Sequence, residues 1–205
     1  MKDWRLIYII FAKSEDKLYI SNKNRQAYFV LLSVCIIFVR INLKNCNVMF
    51  DKETYVQRRA LLKKNIGSGV LLFLGNDEQG LNYEDNAFRY RQDSTFLYYF
   101  GLSFAGLSAI IDIDEDKEII FGDELTIDHI VWMGTQPTLK EKSERVGIRE
   151  TLPSVAIISY LHKAVQKGQT VHYLPPYRPE HKLKLMDWLG IPPARQEGSV
   201  PFIRA

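Results

Sequence analysis

Cysteine is nearly absent from this chain. The two that occur, Cys35 and Cys46, both precede Met49. Residues 49–205 therefore have no thiols for a disulfide framework or a thiolate zinc site. A phosphate-cradling P-loop, a dinucleotide glycine fingerprint, a zincin His-Glu pair and an EF-hand loop are also missing, which removes the usual nucleotide, zinc-protease and calcium readings. The four histidines, His129, His162, His172 and His181, stand apart without metal-ligand spacing. Long apolar runs are scarce as well. Ala27–Val39, between Arg25 and Arg40, falls short of the roughly 20 residues a membrane span needs.

An excess of positive charge is lacking where it would matter. The net charge is +3, but eight Lys/Arg and three Asp/Glu fall in residues 1–48. That leaves nineteen basic and twenty-one acidic residues in 49–205, a slightly acidic body that does not suit a nucleic-acid surface. With 46% hydrophobic and 25% charged residues, the 205-residue chain has the composition of a globular domain with a real core.

Residues 1–48 read as an extension foreign to that domain. The reading favoured here is that translation properly starts at Met49. The alternative is an anchor or export signal built on residues 27–39, although that run starts late for a signal peptide and lacks a clean cleavage site. A cytoplasmic location follows from the first reading, and a membrane-anchored or exported one from the second.

From Met49 on, helix and strand signals alternate. Asp51 is placed to cap a helix bearing Tyr55, Leu62 and Ile66 and ending at Gly67. Gly69–Leu74 is a continuous apolar run, as in a buried strand. Further strands are expected at Phe96–Phe100, Leu107–Ile113, Glu118–Phe121 and His129–Met133, with a hairpin turn at Asp114–Lys117. Thr138 and Glu141 fit a capping box. Ser154 is placed to cap a helix running to Gly168, Thr170–Leu174 is a strand, and Glu180–Leu189 is a last helix. The order implies one layered α/β domain around a mixed sheet.

The most concentrated chemistry is Tyr90-Arg91-Gln92-Asp93-Ser94, which runs into the aromatic stretch Phe96–Phe100 and stops at Gly101. A guanidinium fork, an amide, a carboxylate and a hydroxyl lie within four residues. Such groups satisfy one another and orphan backbone amides when a turn is packed down, so a structural turn is favoured over a catalytic site. Arg91 is expected to lock the turn through a forked pair with Asp93 or a backbone carbonyl. The acidic run Asp112–Asp116 lacks the glycine and ligand spacing of a calcium loop and reads as a solvated hairpin turn. Ser68 has no neighbouring base and reads as turn chemistry.

The same motif carries a family resemblance. Tyr90–Ser94, the aromatic run, Gly101 and Leu107–Ile113 resemble the N-terminal domain of aminopeptidase P (Xaa-Pro aminopeptidase), of the creatinase/prolidase-like type. Arg58–Leu62 with Gly67–Leu72, Ile130–Gly134 and Leu174–Arg178 match that domain in order, so the likeness covers Met49 to about Ala205. It implies a three-layer α/β domain with a mixed sheet flanked by helices. It also implies that the domain belongs to an enzyme cleaving the bond before proline with a two-metal centre, usually manganese. The five metal ligands, two aspartates, one histidine and two glutamates, sit in a C-terminal catalytic domain. This chain alone is accordingly expected to bind no metal and to cleave no peptide.

Three residues take substrate-side roles from the resemblance alone. Trp132 matches a tryptophan that reaches toward a neighbouring subunit's active site, although a buried sheet aromatic is an equal reading. Asp85 aligns with a carboxylate near the peptide substrate, against the alternative of a solvent-facing acid. Arg195 matches, across a gap, a substrate-side arginine near the domain junction. The implied partners are a proline-containing peptide, through the catalytic domain, and further copies of the chain in a dimer or tetramer. A free-standing, non-catalytic interaction module of the same fold is the second reading.

Overall fold

The computed structural model describes residues 49–83, 86–127, 131, 134 and 136–205. In chain order they form α1 (Lys52–Ile66), β1 (Val70–Leu74), α2 (Ser94–Phe100), β2 (Ser108–Asp112), β3 (Lys117–Phe121) and α3 (Leu139–Glu144). β4 (Glu150–Leu152), α4 (Ala156–Gln166), β5 (Val171–Tyr173) and α5 (Pro179–Leu189) follow, then a 3-10 turn at Pro193–Arg195 and α6 (Val200–Arg204).

The sheet order is β4-β3-β2-β1-β5. Its three central strands are antiparallel, while β4 on β3 and β5 on β1 are parallel. The central strands alternate their side chains between two cores, as the two-residue period of a strand requires. Leu71, Phe73, Ala109, Ile111 and Ile120 pack with Tyr55 and Leu62 of α1, Phe96 and Phe100 of α2, Leu139 of α3 and Phe202 of α6. Val70, Leu72, Ile110, Ile119 and Phe121 face Ile157, Leu161 and Ala164 of α4 and Leu185 of α5. The result is three layers, helix–sheet–helix.

One expected strand is a helix. Phe96–Phe100 lies in α2, because Asp93 stands in extended backbone and its carboxylate accepts from the Phe96 amide at 2.9 Å. That bond is the N-cap interaction that starts a helix. Burial then follows the helical period: Phe96 and Phe100, one turn apart, are fully buried, and Tyr98 between them is half exposed. Gly101 ends the helix at φ 65°, and a Cβ there would come within 2.4 Å of the Tyr55 ring. Only glycine meets both demands.

Other differences are local. Val131, inside the expected strand His129–Met133, is helical, while His129, Ile130, Trp132 and Met133 lie outside the described residues. Ser154 does not cap α4, since Val155 occupies that position. The Ser154 amide and hydroxyl instead donate to Asp123 at 3.0 and 2.6 Å. Asp51 is the N-cap residue of α1 but makes no side-chain cap bond. The Thr138–Glu141 capping box is present. α5 starts at Pro179, whose ring suits the first helical turn, and it is followed by α6. The edge strand β4 was not expected.

The candidate functional edge of the sheet

Strand direction brings one end of the sheet together. Leu74 pairs with Ser108, Ser108 with Phe121, and Phe121 with Leu152, while β5 runs parallel to β1 and ends beside it. The segments leaving β1, β3, β4 and β5 and the one entering β2 therefore all meet this edge. In open α/β sheets, the carboxyl ends of parallel strands are where ligands are received.

A buried hydrogen-bond hub fixes the first of these segments. The Gln92 side-chain oxygen accepts from the amides of Asn76 at 2.7 Å and Asp93 at 2.9 Å. Its Nε2 donates to the Phe104 carbonyl at 2.9 Å. Asn76 Nδ2 donates to the Arg91 carbonyl at 2.9 Å, and the Tyr90 hydroxyl donates to the Asn76 carbonyl at 3.2 Å. Gly75 is obligatory here through close approach, since a Cβ would lie 2.4 Å from the Leu107 carbonyl oxygen and about 3.1 Å from the Gln92 amide. Burial, with Asp77 and Glu78 adding to it, raises the Tyr90 hydroxyl well above its usual pKa and keeps it a donor.

Arg91 makes no forked pair. Its side chain is exposed, and one nitrogen lies 3.5 Å from the Ser94 hydroxyl. The Asp93 carboxylate is already committed to the helix amide, so a partner for the fork is not on offer there. The fully buried guanidinium is instead Arg59, toward the opposite end of the sheet, where its partner Glu118 pairs with Ile111. It donates to Glu118 at 2.7 Å, to the Tyr99 carbonyl at 2.9 Å and to the Val146 carbonyl at 3.0 Å.

α5 ties the edge from the other layer. His181 Nε2 and the Gly75 carbonyl oxygen are 3.0 Å apart, so the ring donates there as the Nε2–H tautomer. Burial lowers its pKa and favours that neutral form. Lys184 pairs with Asp77 at 2.7 Å, and Gln79 donates to Glu180. Beside His181, a narrow cleft of about 90 Å³ opens, lined also by Asp93, Tyr173, Pro175 and Tyr177.

The acidic turn is structural. Asp112 is buried and accepts from the Tyr160 hydroxyl, Gln169 and the Glu115 amide. Asp114 accepts from the Gly69 amide and Gln169, Glu115 pairs with Lys117 and Lys167, and Asp116 pairs with Lys63. Asp112 is thus not solvated as expected, whereas the three acids after it are exposed. No three His, Cys, Asp or Glu side chains among the described residues gather to hold a metal ion. The described residues do not fit a two-metal centre. His172 is satisfied by the Ser199 hydroxyl at 2.6 Å and the Ser68 carbonyl at 3.2 Å, and His162 is exposed on α4.

Of the substrate-side residues, Asp85 and Trp132 lie outside the described residues. Arg195 is exposed on the 3-10 turn, its amide bonded to the Pro192 carbonyl at 2.9 Å, and it does not line the cleft. Asn76 and Lys184 were not singled out in the sequence, Tyr177 figured only within the Leu174–Arg178 match, and His181 was read as one of four isolated histidines.

Residues 55–173 match the family model "Aminopeptidase P, N-terminal domain". The chain belongs to this family. Over 112 residues it is 30% identical to a probable Xaa-Pro aminopeptidase of Chaetomium globosum, covering 53% of this chain and 18% of the relative. Over 90 residues it is 33% identical to the human Xaa-Pro dipeptidase, covering 42% of this chain and 18% of the relative. These alignments thus span about a fifth of the length of the curated relatives. Among solved structures, a Pseudomonas aeruginosa aminopeptidase superposes with a TM-score of 0.60 at 21% identity, covering 74% of this chain and 35% of the other. A variant of Escherichia coli aminopeptidase P gives 0.58 at 18% identity, covering 69% and 33%. The fold is therefore the mixed-sheet α/β fold of that domain. No helix among the described residues is long and apolar enough to cross a membrane.

Proposed function

We propose that this chain is the non-catalytic N-terminal domain of a Xaa-Pro peptidase, which removes or releases a residue preceding proline. Its part is to frame the substrate cleft and to contribute to an oligomer interface. The observation that carries the reading is the family match over 55–173 combined with the rigid sheet edge. There the Gln92 hub, the His181–Gly75 bond and the Lys184–Asp77 pair hold the loops in fixed positions. A wall of a binding cleft needs such loops, because ordering them on binding would cost affinity.

The hydrolytic chemistry belongs, in this proposal, to a separate domain that holds two metal ions, usually manganese. Such a pair generates hydroxide and stabilises the oxyanion. Within that assembly Trp132 offers a flat indole face to a proline ring across a subunit boundary, and Asp85 and Arg195 meet the ends of the peptide. A cytoplasmic location fits this role, and fractionation of the expressed chain tests it.

The direct test is incubation of the purified 205-residue chain with manganese and a tripeptide whose second residue is proline. No release of the first residue is expected. Turnover that is abolished by a chelator would overturn the proposal. The alternative of a free-standing interaction module predicts a specific protein partner for the chain in the absence of any peptidase domain.

A further inference from the structure

A second concavity at the same sheet edge, on the α4–α5 side, is separate from the narrow cleft and has a volume of about 350 Å³. That lies within the rough 300–1,000 Å³ range of small-molecule sites. Its floor is the register pair Ser108 and Phe121, which point to the face covered by α4 and α5. Ile158 of α4 and Trp188 of α5 supply apolar walls. Three charged groups stand at its margin, Lys184 with its partner Asp77 and the carboxylate of Asp123.

Two features make this a built site rather than a dent. Ser108 as a residue is 5% exposed, and its hydroxyl, which has no hydrogen-bond partner among the described residues, opens into the cavity. That hydroxyl offers a ligand both a donor and an acceptor against otherwise apolar walls. The charges at the rim are also unequal. Lys184 is neutralised by Asp77 at 2.7 Å. Asp123 is held rigidly by the amide and hydroxyl of Ser154 but forms no ion pair among the described residues. A fixed carboxylate thus stands at the mouth, apolar and aromatic walls lie below it, and an unmet hydroxyl lies at the bottom.

We propose that this concavity binds a small amphipathic amine carrying a hydroxyl at the end remote from its ammonium. The ammonium stays in the wet rim beside Asp123, because burying a charge is costly. The apolar body fills the space between Phe121, Ile158 and Trp188, and the distal hydroxyl exchanges a hydrogen bond with Ser108. This proposal does not depend on the peptidase reading, since it concerns side chains away from the narrow cleft.

The test uses the full 205-residue chain and three probes: tyramine, 2-phenylethylamine, which lacks the hydroxyl, and tyrosol, which replaces the amine with an alcohol. Amide and indole chemical shifts are followed by nuclear magnetic resonance. Tyramine is expected to give saturable, millimolar binding, with shifts focused on Ser108, Asp123, Val155 and the Trp188 indole. Tyrosol should bind about fivefold more weakly, and so should tyramine to Asp123→Asn, the reach of one partly exposed charge pair. Ser108→Ala should remove the preference for tyramine over 2-phenylethylamine while leaving the latter's affinity unchanged. Absence of saturable binding, equal affinity for tyrosol, or a preference for tyramine that survives Ser108→Ala would each overturn the proposal. Unfolding midpoints of both variants, expected within a few degrees of the parent, separate lost binding from lost fold.

Discussion

Arg59 Nε donates to Glu118 Oε2 at 2.7 Å from a side chain with no solvent exposure at all. The pair joins α1 to β3, and the remaining guanidinium nitrogens hold the Tyr99 and Val146 carbonyls, so one residue ties together four segments. Burial pulls the guanidinium's pKa down while Glu118 pulls it back up, and the fork stays charged because that partner is present. Arg59→Leu would leave two orphaned carbonyls and a half-partnered carboxylate. The expected loss is about 3–5 kcal/mol in urea unfolding, as for breaking a buried ion pair from one side. Arg59→Lys should recover less than half of that, because an ammonium cannot reproduce the fork.

Gln92 carries a different kind of weight. Its oxygen serves two amides at once and its nitrogen serves a carbonyl, so Gln92→Leu orphans three backbone groups in a packed turn. A loss of at least about 2 kcal/mol is expected, since each unsatisfied buried group costs roughly 1–3 kcal/mol. Hydrogen exchange provides the sharper readout. The amides of Asn76 and Asp93 should accelerate more than those at the centre of β2.

The start of α2 rests on one carboxylate. Asp93→Ala removes the acceptor of the Phe96 amide and should cost about 1 kcal/mol, while Asp93→Asn should cost only a few tenths. In thermal unfolding the alanine variant should melt roughly 2–4 °C lower. Equal effects of the two substitutions would contradict a capping role.

Acid should expose the hairpin turn. Glu115 is held at a pKa of about 2, first by its hydrogen bonds to Lys117 and Lys167 and then by their charges. A carboxylate whose folded pKa is depressed stabilises the fold above its unfolded value near 4.5, and that contribution is lost as pH falls toward about 2. Parent and Glu115→Gln should therefore differ most in stability above about pH 5 and converge by about pH 2. Because the group is exposed, the difference should be small and should shrink with added salt.

Much of the fold could be read from the chain because local signals agreed with tertiary need. Val70–Leu74 is apolar throughout and buried on both faces, and the Thr138–Glu141 spacing can satisfy two amides at once. The aromatic run misled because Phe, Tyr and Leu suit a buried strand and a packed helix alike. The deciding feature was Asp93 three residues before Phe96, which was read as turn chemistry. β4 escaped because its three residues, Glu150, Thr151 and Leu152, pair on one side only and carry no apolar pattern. The site was harder still. Ser108, Asp123, Lys184 and Trp188 are scattered over eighty residues, and only the strand directions bring them to one edge. Arg91 looked the obvious anchor, but the fully buried guanidinium is Arg59, whose value comes from carbonyls forty and eighty-seven residues away.

Phe202 packs against Phe73 with ring centroids 5.0 Å apart, and Ser199 in the segment before it donates its amide to Tyr173 at 2.8 Å. The first core strand is thus completed by residues 199–202, about 130 positions further along the chain. During synthesis on the ribosome, the pocket around Phe73 stays unfilled until position 202 has cleared the exit tunnel. A nascent chain stalled before that point leaves aromatic surface around Phe73 uncovered, the kind of surface that promotes aggregation.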